Sequence, residues 1–254
     1  MSVVNRSTSA PSPLSPKRWP AEAFSWWRSL LFAAIYVITY LVPTAILSAY
    51  LVARYGRFSL TTIPLGLVII IQLVTYIPQI AVLLALLPAL ARRSLRQLGL
   101  RVPDARELAW GIGGAIAMVL VATTLGAIEQ NVLHVHVQET AVDLLRGAHG
   151  EIALGFAFLA VIAAPFVEEL TFRGFVFNAL LRYLPAVLAG VLSAILFGLA
   201  HLDPRSPSAV VPLAGGGLVL AWVYYRSGSL VSSMITHGGF NLLTVVGVLV
   251  FHVK

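Results

Sequence analysis

The chain has 254 residues, 59% of them hydrophobic and only 11% charged, a balance that excludes an ordinary soluble domain. Its formal net charge of +7 does not point to nucleic acid: the basic residues fall in particular loops rather than on one amphipathic surface, so no nucleic-acid partner is expected. The absence of cysteine excludes disulfides, thiol nucleophiles and thiolate-held metals together, and leaves only His, carboxylate or amide groups to hold a metal.

The expected fold class is all-α, a polytopic membrane bundle of about seven transmembrane helices, with an eighth short or re-entrant segment allowed in the loops. Residues 1–28 combine Ser, Pro and basic residues without an apolar core, and read as a disordered cytoplasmic tail rather than a signal peptide. Residues 29–254 read as a single transmembrane helical domain, with spans expected at 30–52, 63–91, 108–128, 152–181, 186–202, 208–226 and 229–251. Trp26, Trp27 and Tyr55 flank the first span as interfacial aromatics do. The second span carries Pro78 and Pro88, which predict a kink or an early end. Placing the N-terminus in the cytoplasm puts eleven of the 17 Lys and Arg residues on the inside and five on the outside, with Arg173 inside a span. That bias predicts a multi-pass protein of the cell membrane with a cytoplasmic N-terminus. The lipid bilayer is the first expected partner, and anionic headgroups are the expected neighbours of Arg92 and Arg93.

Gly111, Gly113 and Gly114 in the third span, and Gly215, Gly216 and Gly217 in the sixth, predict close helix packing. The most polar stretch between spans, 129–150, holds His134, His136 and His149, best read as solvated loop histidines.

The fourth span breaks the apolar pattern. Pro165-Phe-Val-Glu-Glu-Leu-Thr-Phe-Arg-Gly174 puts three ionisable residues inside it, each costing roughly 2.5–3.5 kcal/mol near the middle of a bilayer. Glu169 and Arg173 are four apart with the acid first, the better orientation for a pair on one helix face. Glu168 has only Phe172 at that spacing and must find its partner on another helix. A structural ion network is one reading; the sharper one makes Glu168 the working carboxylate, with Glu169 and Arg173 as its support.

Two further polar pairs follow, Phe197-Gly-Leu-Ala-His201 and His237-Gly-Gly-Phe-Asn241. An acid, two imidazoles, an amide and a buried ion pair can activate a water and stabilise an oxyanion, so hydrolysis is the natural reaction class. In that scheme Glu168 takes a proton from the attacking water, His201 and His237 orient that water or hold a metal, and Asn241 donates to the oxyanion. Glu168, His201 and His237 could also ligate a catalytic Zn2+, and a metal-free glutamate mechanism stays open beside it. No HExxH, no GxS and no pair of intramembrane aspartates is present, which sets aside other intramembrane hydrolase designs.

In order on successive late helices, EExxxR, FxxxH and HxxxN resemble the CPBP family of membrane proteases, which includes type II CAAX prenyl endopeptidases and bacteriocin-processing or immunity proteins. The resemblance covers roughly residues 92–250. It implies a multi-pass helical fold with residues 152–251 as the catalytic core. It implies an endopeptidase of the metalloprotease type acting on a membrane-associated protein or peptide, with prenylated substrates among the candidates. It also implies Glu168 as general base, His201 and His237 as water or metal partners, and Asn241 as oxyanion donor. Two readings from other classes compete: an ion- or proton-coupled transporter, and a non-catalytic immunity or scaffold protein of the same fold.

Overall fold

The computed structural model describes residues 23–56, 63–134, 140–202 and 207–251. The expected tail falls mostly on residues 1–22, outside the described residues. Its last part is ordered: Phe24 is buried, its amide donates to the Leu90 carbonyl at 3.2 Å, and the first helix begins at Trp26.

Among the described residues the fold is helical throughout. Helix α1 spans Trp26–Tyr55, α2 Leu65–Ala91, α3 Ala105–Asn131, the short α4 Thr140–Arg146, α5 Gly150–Leu181, α6 Ala186–Ala200, α7 Val210–Ser227 and α8 Leu230–Leu249. Five of these (α1, α2, α3, α5 and α8) are long and apolar enough to cross a membrane, while α6 is apolar but shorter. Each expected span therefore has its helix. α2 continues through Pro78 and Pro88 to Ala91 rather than ending early.

The helix ends follow local chemistry. Asp104 accepts from the Glu107 amide at 2.8 Å, and Glu107 reaches back to the Asp104 amide at 3.1 Å, a reciprocal cap that starts α3. Arg101 ion-pairs with Glu107 and closes the loop before it. Ser229 caps α8 through the Ser232 amide.

α5 is not a regular helix. Leu159–Ala163 and Leu170–Phe177 are π-helical, and they bracket an α-helical Ala164–Glu169. Pro165 has no N–H to give to the Val161 carbonyl one turn back, so the regular ladder cannot be kept there. The second wide segment leaves carbonyls that the buried Asn178 satisfies, through Arg173 O at 2.9 Å and Gly174 O at 3.1 Å. π-segments of this kind recur at functional sites, because they turn side chains that a regular helix would direct elsewhere.

In the packing, α3 lies against both α7 and α8, α6 against α7, and α5 against α8, α6 and α2, while α1 packs on α2 at the edge. Two hydroxyls one turn apart on α8 pin it to α3: Ser232 donates to Glu107 O at 2.7 Å and Thr236 to Gly111 O at 2.9 Å. Gly111 and Gly114 allow that approach; a Cβ on Gly114 would lie 2.3 Å from Thr236 Oγ1. Gly215, Gly216 and Gly217 are likewise filled against neighbours, whereas a Cβ on Gly113 would meet nothing within 4 Å.

Candidate functional site

Glu168 and Glu169 are consecutive residues at the end of the α-helical piece of α5, so their side chains diverge by about 100° around the axis. The two carboxylates consequently meet different surroundings.

Glu169 is wholly buried and fully engaged. Its Oε1 accepts from Arg173 Nη1 at 3.0 Å and from His237 Nδ1 at 3.0 Å, and its Oε2 accepts from Ser233 Oγ at 2.5 Å. The expected i,i+4 pair with Arg173 is formed, with both side chains at 0% exposure. Arg173 gives a second hydrogen bond to Gly217 O of α7 at 2.7 Å, and its guanidinium lies over the Phe197 ring at 4.8 Å. Isolated in an apolar interior, either charge would be costly; together with these donors and acceptors they form a network linking α5, α7 and α8, with only the Nε of Arg173 left without a partner among the atoms of the pair.

Glu168 finds its partners on other helices, as its spacing requires. Its Oε2 lies 3.5 Å from His201 Nε2 and 3.9 Å from His237 Nε2. The same oxygen is buried and makes no hydrogen bond within the protein. The outer nitrogens of the two rings explain this. His201 Nδ1 is 2.8 Å from the Phe197 carbonyl and His237 Nδ1 is 3.0 Å from Glu169. Both partners are acceptors, so each Nδ1 carries the proton, and in the neutral ring each Nε2 presents a lone pair toward Glu168. A carboxylate oxygen and two ring nitrogens, all acceptors, thus face one another. A water, with two hydrogens to donate, complements two of the three at once.

The Phe197 ring holds the rings in place, with centroids 4.7 Å from His201 and 5.7 Å from His237 in an edge-on arrangement, while Phe172 packs on it at 5.1 Å. His201 follows directly on Ala200, the last residue of a 15-residue helix. At about 22 Å, α6 stops short of a hydrocarbon core of about 30 Å, which brings His201 to Glu168 rather than to the far face.

α8 approaches closely because Gly238 follows His237. A Cβ there would lie 2.6 Å from Val161 O, the carbonyl that Pro165 leaves without its helical donor. Asn241, one turn further, donates to Ala160 O at 2.7 Å. Its amide is therefore anchored to the first π-segment of α5, and one amide hydrogen remains beyond that bond.

The structure brings together Glu168, Glu169, Arg173, His201 and His237, and ties Asn241 to the same helix. It adds Ser233, which the sequence reading overlooked. The signal was present: Ser233, His237 and Asn241 recur every four residues on one face of α8. Phe172 and Phe240 pack around Phe197, Met118 and Leu220, and Phe175 and Phe177 lie in the core, so these aromatics serve packing.

As for zinc, no group of three or more His, Asp or Glu side chains is arranged to hold a metal ion among the described residues. The donor types around Glu168 Oε2 suit a cation, but their arrangement is not that of a ligand set, and no step below is routed through a metal. His134 and His149 form no such group either, and His136 lies outside the described residues.

A family model described as type II CAAX prenyl endopeptidase Rce1-like matches residues 150–243. Over those residues the chain resembles that family. The resemblance drawn from the three motifs is thereby borne out, and the Rce1-like segment contains all six predicted residues as well as Ser233. It opens at the first residue of α5 and closes within α8. Among curated proteins, the chain is similar to the "Putative membrane peptidase YdiL" of Bacillus subtilis (strain 168), at 22% identity over 175 residues, 69% of this chain and 70% of that protein. No solved structure matches it.

Proposed function

We propose that this Rce1-like protein is an integral membrane endopeptidase that hydrolyses a peptide bond of a membrane-associated protein or peptide by a glutamate-activated water. The observation that carries the reading is the set of three facing acceptors: Glu168 Oε2 without a hydrogen bond, at 3.5 and 3.9 Å from two imidazole Nε2 atoms. A water there donates toward the carboxylate and a ring, which turns an oxygen lone pair outward to a substrate carbonyl.

As the new C–O bond forms, the water proton passes to Glu168, and the carbonyl oxygen takes up negative charge. The remaining amide hydrogen of Asn241 is the proposed donor to that oxygen. The tetrahedral intermediate then collapses: the C–N bond breaks, and the proton held by Glu168 goes to the leaving amine. Glu169, bound to Arg173 and Ser233, fixes the tautomer and orientation of His237 throughout. The Rce1-like match supports prenylated substrates as the first class to test, and the charge bias of the loops supports a cytoplasmic N-terminus.

The test is a cleavage assay on the purified protein in lipid, against matched prenylated and unprenylated peptides, with and without chelator. The wild type should release peptide fragments, and Glu168→Gln should abolish release while the protein stays folded. Cleavage retained in Glu168→Gln would reject the mechanism. Loss of cleavage with chelator, restored by Zn2+, would replace the metal-free form of it.

A further inference from the structure

A cleft of about 440 Å³ opens between α3 and α7, lined by residues that include Arg106, Trp110, Gly113, Ala117, Val219 and Trp222. None of the residues around Glu168 lines it. Its volume falls in the range of small-ligand sites, about 300–1,000 Å³, and its wall is apolar below two aromatic rings.

Three observations define what it takes. First, one end is basic. Arg106 lines the cleft near the start of α3, and Arg226, near the end of α7, lies over the rings of Trp110 at 5.5 Å and Trp222 at 5.0 Å. Both arginines are exposed, and among the described residues neither makes an ion pair.

Second, the floor is open. A Cβ on Gly113 would meet nothing within 4 Å, unlike its neighbours Gly111 and Gly114. Close helix packing accounts for those two glycines and leaves Gly113 unexplained.

Third, the flanks are apolar: Ile112 and Ile116, on a helix long and apolar enough to cross a membrane, and Leu218 on α7 are exposed. From Arg106 to Ala117 the cleft follows α3 for about 16 Å, close to one leaflet of a core about 30 Å thick.

We propose that this cleft binds an anionic phospholipid, with its phosphate between Arg106 and Arg226, its glycerol region against Trp110 and Trp222, and one acyl chain along Gly113 and Ala117. Tryptophan is the residue that favours headgroup depth, and basic pockets between membrane helices recognise anionic headgroups. A zwitterionic lipid would bring the same chains but no net charge for the two guanidinium groups. The site shares α7 with the network around Glu169 but is independent of any hydrolytic reading.

Native mass spectrometry of the purified full chain, titrated with phosphatidylglycerol and phosphatidylcholine of identical chains, tests this. Phosphatidylglycerol should bind more tightly, and Arg106→Gln with Arg226→Gln should weaken it by about 30-fold, as expected for two basic residues at a lipid surface. Gly113→Leu should weaken both lipids, because the added side chain occupies the acyl path. Thermal unfolding in lipid-free detergent checks that each variant is folded; if the double variant is not, Gly113→Leu, made into open space, decides. Equal binding of the two lipids, binding unchanged by Gly113→Leu, or displacement of phosphatidylglycerol by inorganic phosphate alone would overturn the proposal.

Discussion

Replacing Glu169 by Gln isolates the charge at the centre of the network, because the shape can be kept. The amide oxygen can accept from Arg173 and His237 as Oε1 does now, at 3.0 Å each. The amide nitrogen then faces Ser233, whose hydroxyl can turn to donate to Leu220 O, 3.3 Å away. What is lost is the counter-charge of Arg173, a guanidinium at 0% exposure. An exposed pair would be worth at most about 1 kcal/mol, but breaking a buried pair on one side costs about 3–5 kcal/mol. Reversible unfolding in mixed micelles should therefore show Glu169→Gln destabilised by about 3–5 kcal/mol. Arg173→Met should recover part of that loss in the double variant, because the stranded charge is gone, while His237 stays without its carboxylate. A loss below about 1 kcal/mol, or two single effects that simply add, would refute the view that the pair is a desolvated unit.

Ser233→Ala removes the 2.5 Å bond to Glu169 and should cost about 1.5–3 kcal/mol, the range for hydrogen bonds to charged groups; the same unfolding experiment measures it. Gly238→Ala places a methyl 2.6 Å from Val161 O, so α8 must move off α5. A loss of about 1–3 kcal/mol is expected, with a fall in any peptidase activity larger than the loss of folded protein. Glu168→Gln should leave stability within about 1 kcal/mol, since the Oε2 it alters has no hydrogen bond to lose. An equally large destabilisation by Glu168→Gln and Glu169→Gln would remove the distinction between the two carboxylates.

The helices themselves were legible, because length and hydropathy dictate them. So was the pairing of Glu169 with Arg173, which needs only the period of a helix. The division of labour between the two glutamates was legible in outline, since Glu168 lacked an i,i+4 partner. The π-helical breaks in α5 were not: Pro165 announces a disturbance, but whether a helix kinks or widens depends on what satisfies the freed carbonyls, here Asn178 for the second break. The depth of His201 was also hidden. An apolar run of 186–202 reads as a full span, whereas the helix ends at Ala200, and only the packed structure shows that this end reaches Glu168. Ser233 escaped notice because a serine in a membrane helix is ordinarily a packing residue.

The adjacency of two acids in one apolar helix has a physical logic. Glu169, with three donors, has both carboxylate oxygens engaged, whereas Glu168 keeps its Oε2 without a hydrogen bond. Placing both on one turn lets a single rigid helix hold them, and the network around Glu169 then fixes the position of Glu168 without bonding to it. His237 joins the two: one ring nitrogen is fixed by Glu169, and the other is presented to Glu168. The orientation of the ring is thus set by its hydrogen bond to Glu169. Gly238 and Ser233, on either side of His237 along α8, set respectively how closely that helix lies on α5 and how firmly Glu169 is held. The geometry around Glu168 therefore depends on α8 as well as on α5, and the helix carrying no acid holds three of the seven residues of the candidate site, Ser233, His237 and Asn241.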